Sequence, residues 1–149
     1  MSPLAEAVLI CDRINVYLLD SLDPADLILK SDKSKSVAGH LCHIHNVRLM
    51  WIRSILKECP LQKLDDKSAT KEQIATSLPQ SAQMLADIID EAIAKGERVK
   101  GFKPSTEAFV GYLCAHDSFH RSQIELILRQ NGKPLSDKIA YGMWEWGVR

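Results

Sequence analysis

Two of the five histidines in this 149-residue chain, His116 and His120, stand four apart in the stretch "LCAHDSFHRSQIELIL". On a helix that spacing points both imidazoles the same way. Phe109, Leu113, Ile124 and Ile127 continue the same face at steps of three and four, so the pair occupies positions of an apolar stripe. Burying an imidazole costs free energy unless its nitrogens find partners. A divalent metal is one such partner: neutral imidazole ligates zinc, nickel, copper and iron, and an i,i+4 pair can hold one ion from a single helix. Backbone carbonyls or water are the other, and the pair alone does not choose between them. Position 117 is Asp117 rather than the Glu of the H-E-x-x-H proteases, which speaks against that class of active site.

A metal needs a third ligand, and the remaining histidines, His40, His43 and His45, fall together in "GHLCHIHNVR". At about 100° per residue, His40 lies near the centre of that helix's apolar arc. His43 lies at one edge, in line with Val47 and Trp51, and His45 lies at the other. Periodicity leaves the three open. Asn46 and Asp117 are candidates for orienting a histidine, although Asp117 reads more simply as an exposed polar residue. Arg48 falls inside the apolar arc and needs a carboxylate or carbonyls; Glu125 is the candidate partner, and an anionic substrate group is the alternative. The four cysteines form no C-x-x-C pair and read as reduced packing residues, Cys42 and Cys114 included.

The elements that must position these residues are helical. Helix one starts at "SPLAEAV", with Ser2 as cap and Pro3 in the first turn, and ends before "DPADL". Helix two runs from about Ser36 to Glu58 and stops at Pro60. Helix three opens on the capping pair Thr70 and Gln73, and Pro79 predicts a kink or a restart within it. Helix four runs from near Ser105 to Asn131 and Gly132, and the aromatic tail with Tyr141, Trp144 and Trp146 adds a short helix. Four long amphipathic segments predict an all-α four-helix bundle, one domain over residues 1–149. The 19 basic and 19 acidic residues cancel, so nothing suggests nucleic acid as a partner. No apolar run suits a membrane span, and the N-terminus lacks the layout of a signal peptide; a cytoplasmic protein is expected.

"VAGHLCHIHNVRLMWI" taken with "HDSFHRSQI" resembles the DinB-like (DinB/YfiT-like) family, over nearly the whole chain and including the "NGKPL" exit from helix four. The family pattern is an "L-x-H-I/L" histidine followed much later by "H-x-x-x-H-R-x-Q-I". Matched residue by residue, the resemblance selects His43 with His116 and His120 as metal ligands and gives Arg121 and Gln123 supporting roles. It implies an up-up-down-down four-helix bundle with a long connection between helices two and three, and a homodimer. Three neutral histidines leave coordination positions open, the pattern of a catalytic rather than a closed site. One divalent ion is expected, zinc or nickel first, with iron or manganese as alternatives. The implied function is a metal-dependent enzyme acting on a small molecule: a transferase using a low-molecular-weight thiol, or a hydrolase. The alternatives are a non-catalytic metal-binding or stress-response interaction protein, and a plain helical scaffold whose histidines are satisfied internally.

Overall fold

A computed structural model describes residues 1–32 and 34–149. Four long helices carry the fold: α1 (Pro3–Asp20), α2 (Val37–Ile55), α3 (Lys71–Ala94) and α4 (Thr106–Gln130). A short helix, α5 (Asp137–Gly142), follows, and single 3-10 turns lie at Pro24–Ile28 and Trp146–Val148. Each helix begins where its sequence supplies a cap. The hydroxyls of Ser2, Ser36, Thr70, Ser105 and Ser136 each accept a backbone N–H from the first turn of the helix that follows. Each such cap stabilises its helix by about 1 kcal/mol. Thr70 and Gln73 form the reciprocal capping box that their spacing predicts. Gly132, at φ +72°, closes α4 in the left-handed conformation that an L side chain resists.

α3 does not restart at Pro79: the helix is continuous through it. The same turn is held from outside, because the carbonyls of Ser77 and Leu78 accept hydrogen bonds from the side chains of His45 and Arg48. α2 is shorter than its apolar pattern predicts, ending at Ile55 rather than Glu58.

α1 and α2 each pack against both α3 and α4. One apolar cluster joins Leu18 and Leu19 of α1, Leu41 and Ile44 of α2, Ile74 and Leu78 of α3, and Ile124 and Ile127 of α4. The second joins Ala5 and Val8, Ile52, Leu85 and Ile89, and Phe109 and Leu113. The first cluster therefore gathers the C-terminal halves of α1 and α4 with the N-terminal halves of α2 and α3. Helices α1 and α4 run one way and α2 and α3 the other. That order is up-down-down-up, which corrects the up-up-down-down expectation. The connection over residues 56–70 makes it possible: α2, at 19 residues, is about 28 Å long, and fifteen extended residues reach about 50 Å, enough to return α3 to the end where α2 began.

Between the two apolar clusters lies a buried polar layer of Asp12, Asn15, Arg48, Asp117 and Arg121. It sits at mid-height of the bundle, beside the histidines.

Candidate metal centre

α4 presents His116 and His120 on one face, and α2 brings His43 against them. One ring nitrogen from each of the three lies within 4.8 Å of the others. Ring centroids stand 4.5 Å apart for His116 and His120, 4.7 Å for His43 and His120, and 5.4 Å for His43 and His116. A tetrahedral zinc with bonds of about 2.0–2.1 Å would draw its ligand nitrogens to about 3.4 Å, a small contraction from this arrangement. The donor set fits a borderline-soft divalent ion. It contains imidazoles only, and the His43 ring makes no hydrogen bond to the protein among the described residues.

Two of the three, His43 and His120, are also poor proton acceptors. Burial pushes the proton affinity of His43 below the ordinary histidine value, with help from His116 and Lys35. For His120 burial comes first, then His116, His43 and His40, and together they bring its pKa down to about 3. Both imidazoles are therefore neutral near pH 7, the form that ligates a metal.

The other two histidines of α2 have separate tasks. His40 is buried, and its Nδ1 lies 2.8 Å from Nδ1 of His120. That contact occupies one nitrogen of His120 and leaves Nε2 for a ligand. His45 faces away from the trio: Nδ1 meets the carbonyl of Ser77 at 3.0 Å and Nε2 that of Gln62 at 2.9 Å. It ties the 56–70 connection to α2 and α3. Asn46 does the same work one position on, pairing its amide with both backbone groups of Leu64, so it orients no histidine. Gly39 completes this seam. A Cβ there would stand 3.3 Å from Asp66 Oδ2 and 3.1 Å from Lys35 Cβ, so the missing side chain lets the connection close over the start of α2.

Asp117 is 2% exposed, which corrects its reading as an exposed polar residue. Its Oδ2 accepts from Arg48 at 2.6 Å and from Asn15 at 2.8 Å, and its Oδ1 lies 3.5 Å from Nδ1 of His116. Burial alone would raise its pKa, but Arg48, His116 and Asn15 hold it at about 2. Arg48, 1% exposed, also donates to Asp12 at 2.5 Å and to the Leu78 carbonyl at 3.1 Å. The partner of Arg48 is thus the Asp12–Asp117 pair and not Glu125, which bonds Arg129 on the surface of α4. Burial outweighs Arg48 at Asp12, whose pKa is raised. Asp117 is therefore the firm negative charge beside the histidines, placed to orient His116.

His43 opens onto a cleft of about 240 Å³ whose walls include Lys35, Cys42, Asn46, Lys63 and Asp66. Phe119 packs edge-on against His120 at 5.3 Å, and Tyr112 lies 6.0 Å from His116. The trio thus has apolar neighbours on the α4 side and a polar, solvent-open side at α2. Cys42 is buried, its thiol pKa raised to about 12, so it is a packing residue. All four cysteines are free.

No curated protein and no solved structure matches the chain significantly. A family model does: that of the DinB family, over residues 11–144. With nearly the whole chain matched and the three histidines drawn together as that resemblance implied, the chain belongs to the DinB family.

Proposed function

We propose that the protein is a metal-dependent enzyme that uses His43, His116 and His120 to hold one divalent ion, zinc or nickel first. The observation that carries this reading is the convergence of three imidazoles, with no carboxylate in the donor set, on one point at the edge of the bundle. A bound ion would supply Lewis acidity at its open positions, where a thiol or a water would become more acidic. The protein's own residues do the rest. His40 holds His120, Asp117 holds His116, and the buried layer around Arg48 keeps α2 and α4 in register. The cleft beside His43 admits a small molecule, with Lys35 and Lys63 available to an anionic group and Asp66 to a cationic one.

Thiolate is a good ligand for zinc and nickel, and small biological thiols carry both kinds of charge, so a thiol-dependent transferase is the preferred reaction and hydrolysis the second. The same reading takes the chain as one domain working as a homodimer in the cytoplasm. Among the described residues, no helix is long and apolar enough to cross a membrane.

The test is metal content and affinity of the purified protein against His43→Ala and His120→Ala. One ion per chain in the wild type, and loss of most affinity in each variant, supports the site. Equal affinity in all three proteins removes it. A cobalt-substituted sample titrated with cysteine or a cysteine-containing tripeptide then tests the reaction class. A new thiolate charge-transfer band supports the transferase reading. A spectrum unchanged by thiols moves the preference to hydrolysis or to metal binding without catalysis.

A further inference from the structure

A second cavity lies between α4 and the C-terminal tail, with a volume of about 320 Å³. That is at the lower end of the range for small-molecule sites. Its α4 wall is Cys114, Ser118, Arg121 and Glu125, and Trp144 and Trp146 form the opposite side. At about 100° per residue, this stripe is about 150° round α4 from His116 and His120, so the cavity is not the mouth of the histidine site.

Arg121 gives the cavity its chemistry. It is 8% exposed, yet none of the ion pairs among the described residues includes it. Its Nη1 donates to Asn15 Oδ1 at 2.7 Å and more weakly to the Cys11 carbonyl at 3.4 Å. Asp117 is reached only through Asn15, and its Oδ2 is already bonded by Arg48. A guanidinium carries five N–H groups, and only Nη1 has protein acceptors among the described residues. Arg121 lines the cavity, and its Nε and Nη2 are not among the fully buried polar atoms. Glu125 makes no ion pair with it and bonds Arg129 instead, at 2.9 Å. Facing this cation are large apolar surfaces that a soluble chain gains nothing by exposing: Trp144 is 77% exposed and Trp146 39%.

We propose that this cavity is a binding site for a small carboxylate with an apolar body. The carboxylate meets the free side of Arg121, where a planar guanidinium can make two parallel hydrogen bonds. The apolar body lies against Trp144, Trp146 and Met143. The site is separate from the three histidines and does not depend on their holding a metal.

The probe is phenylacetate, with phenylacetamide as its uncharged counterpart, titrated calorimetrically into the full chain. The expected result is saturable binding of one phenylacetate per chain, at least tenfold weaker binding of the amide, and protection of Cys114 from alkylation by bound phenylacetate. Arg121→Gln removes the cation but also disturbs the buried layer. Two exposed positions therefore carry the decisive variants: Trp144→Ala removes an apolar wall, and Ser118→Phe fills the cavity. Each should weaken phenylacetate at least tenfold while leaving the circular dichroism and melting temperature near wild type. His120→Ala must leave phenylacetate binding unchanged; loss of binding there would place the carboxylate at the histidines and overturn the proposal. No saturable binding in the wild type, equal binding of acid and amide, or undiminished binding in both cavity variants would overturn it as well.

Discussion

His40 and His120 share a single hydrogen bond, Nδ1 to Nδ1 at 2.8 Å. Two neutral imidazoles in that relation hold one proton between the facing nitrogens, so their tautomers are linked. If His40 donates, His120 carries its own hydrogen on Nε2, where a metal would have to bind. If His120 donates, its Nε2 is free, and His40 carries its hydrogen on an Nε2 that is buried without a partner. Ligation therefore selects the second arrangement. His40→Leu removes the acceptor and should weaken zinc binding by about 10- to 100-fold, the usual scale for a group that orients a ligating histidine. Competition with a chromophoric chelator measures the affinity, and ring-nitrogen chemical shifts report the tautomer of His120. Wild-type affinity in His40→Leu would show that His120 needs no such support.

The Asp12–Arg48–Asp117 layer is expected to be costly to break and tolerant of wholesale replacement. Arg48→Met leaves two buried carboxylates facing each other across the core, and should destabilise the fold by about 3–5 kcal/mol. A triple change to apolar residues of similar volume, Asp12→Leu, Arg48→Met and Asp117→Leu, should recover most of that loss. Urea denaturation of the single and triple variants checks both outcomes. A single variant as stable as wild type would mean that the ion pairs contribute nothing.

How much of the fold and the site is legible in the sequence differs from residue to residue. His116 and His120 were readable from spacing, because both fall in one apolar stripe. His43 was not, since it sits at the edge of its arc; only the family resemblance singled it out. Asp117, which reads as an exposed polar residue, is buried. The signal lay one turn to either side: Val110, Leu113, Asp117, Arg121, Ile124 and Leu128 recur at helical steps and are all buried. On α1, Ala5, Val8, Asp12, Asn15 and Leu19 run likewise. Charged residues of opposite sign in two facing core stripes imply each other, and Arg48 belongs to the same set. The helix directions were less accessible, because nothing local to residues 56–70 states that they span the length of the bundle.

Pro79 offers a stabilising substitution. It is exposed and stands inside a continuous helix, where proline removes the hydrogen bond to residue i−4 and costs up to about 3 kcal/mol relative to alanine. Pro79→Ala restores a donor to the Ala75 carbonyl and touches neither the core nor the histidines. The expected gain is about 1–3 kcal/mol in denaturant unfolding, with zinc affinity unchanged. A loss of stability would mean that the turn is fitted to the ring, through the bonds that His45 and Arg48 make to its carbonyls.

The metal-free protein should lose stability as the pH falls from about 6.5 toward 3. The folded chain holds His120 at a pKa of about 3 and His43 below its ordinary value. In the unfolded chain both return to about 6.5. Between those limits the unfolded state binds more protons, so stability rises with pH, by at most about 1.4 kcal/mol per pH unit for each group. The sign is opposite to that of a histidine gaining an acidic partner. Asp117, held at about 2, adds its own loss only once the pH drops below the unfolded aspartate value near 4. His120→Asn removes one titrating group and should flatten the slope from about pH 6.5 down to about 3, leaving the Asp117 loss below about 4 in place. Melting curves of chelator-treated wild type and variant across this range measure it, and superimposable pH profiles would show that His120 titrates alike in the folded and unfolded chains.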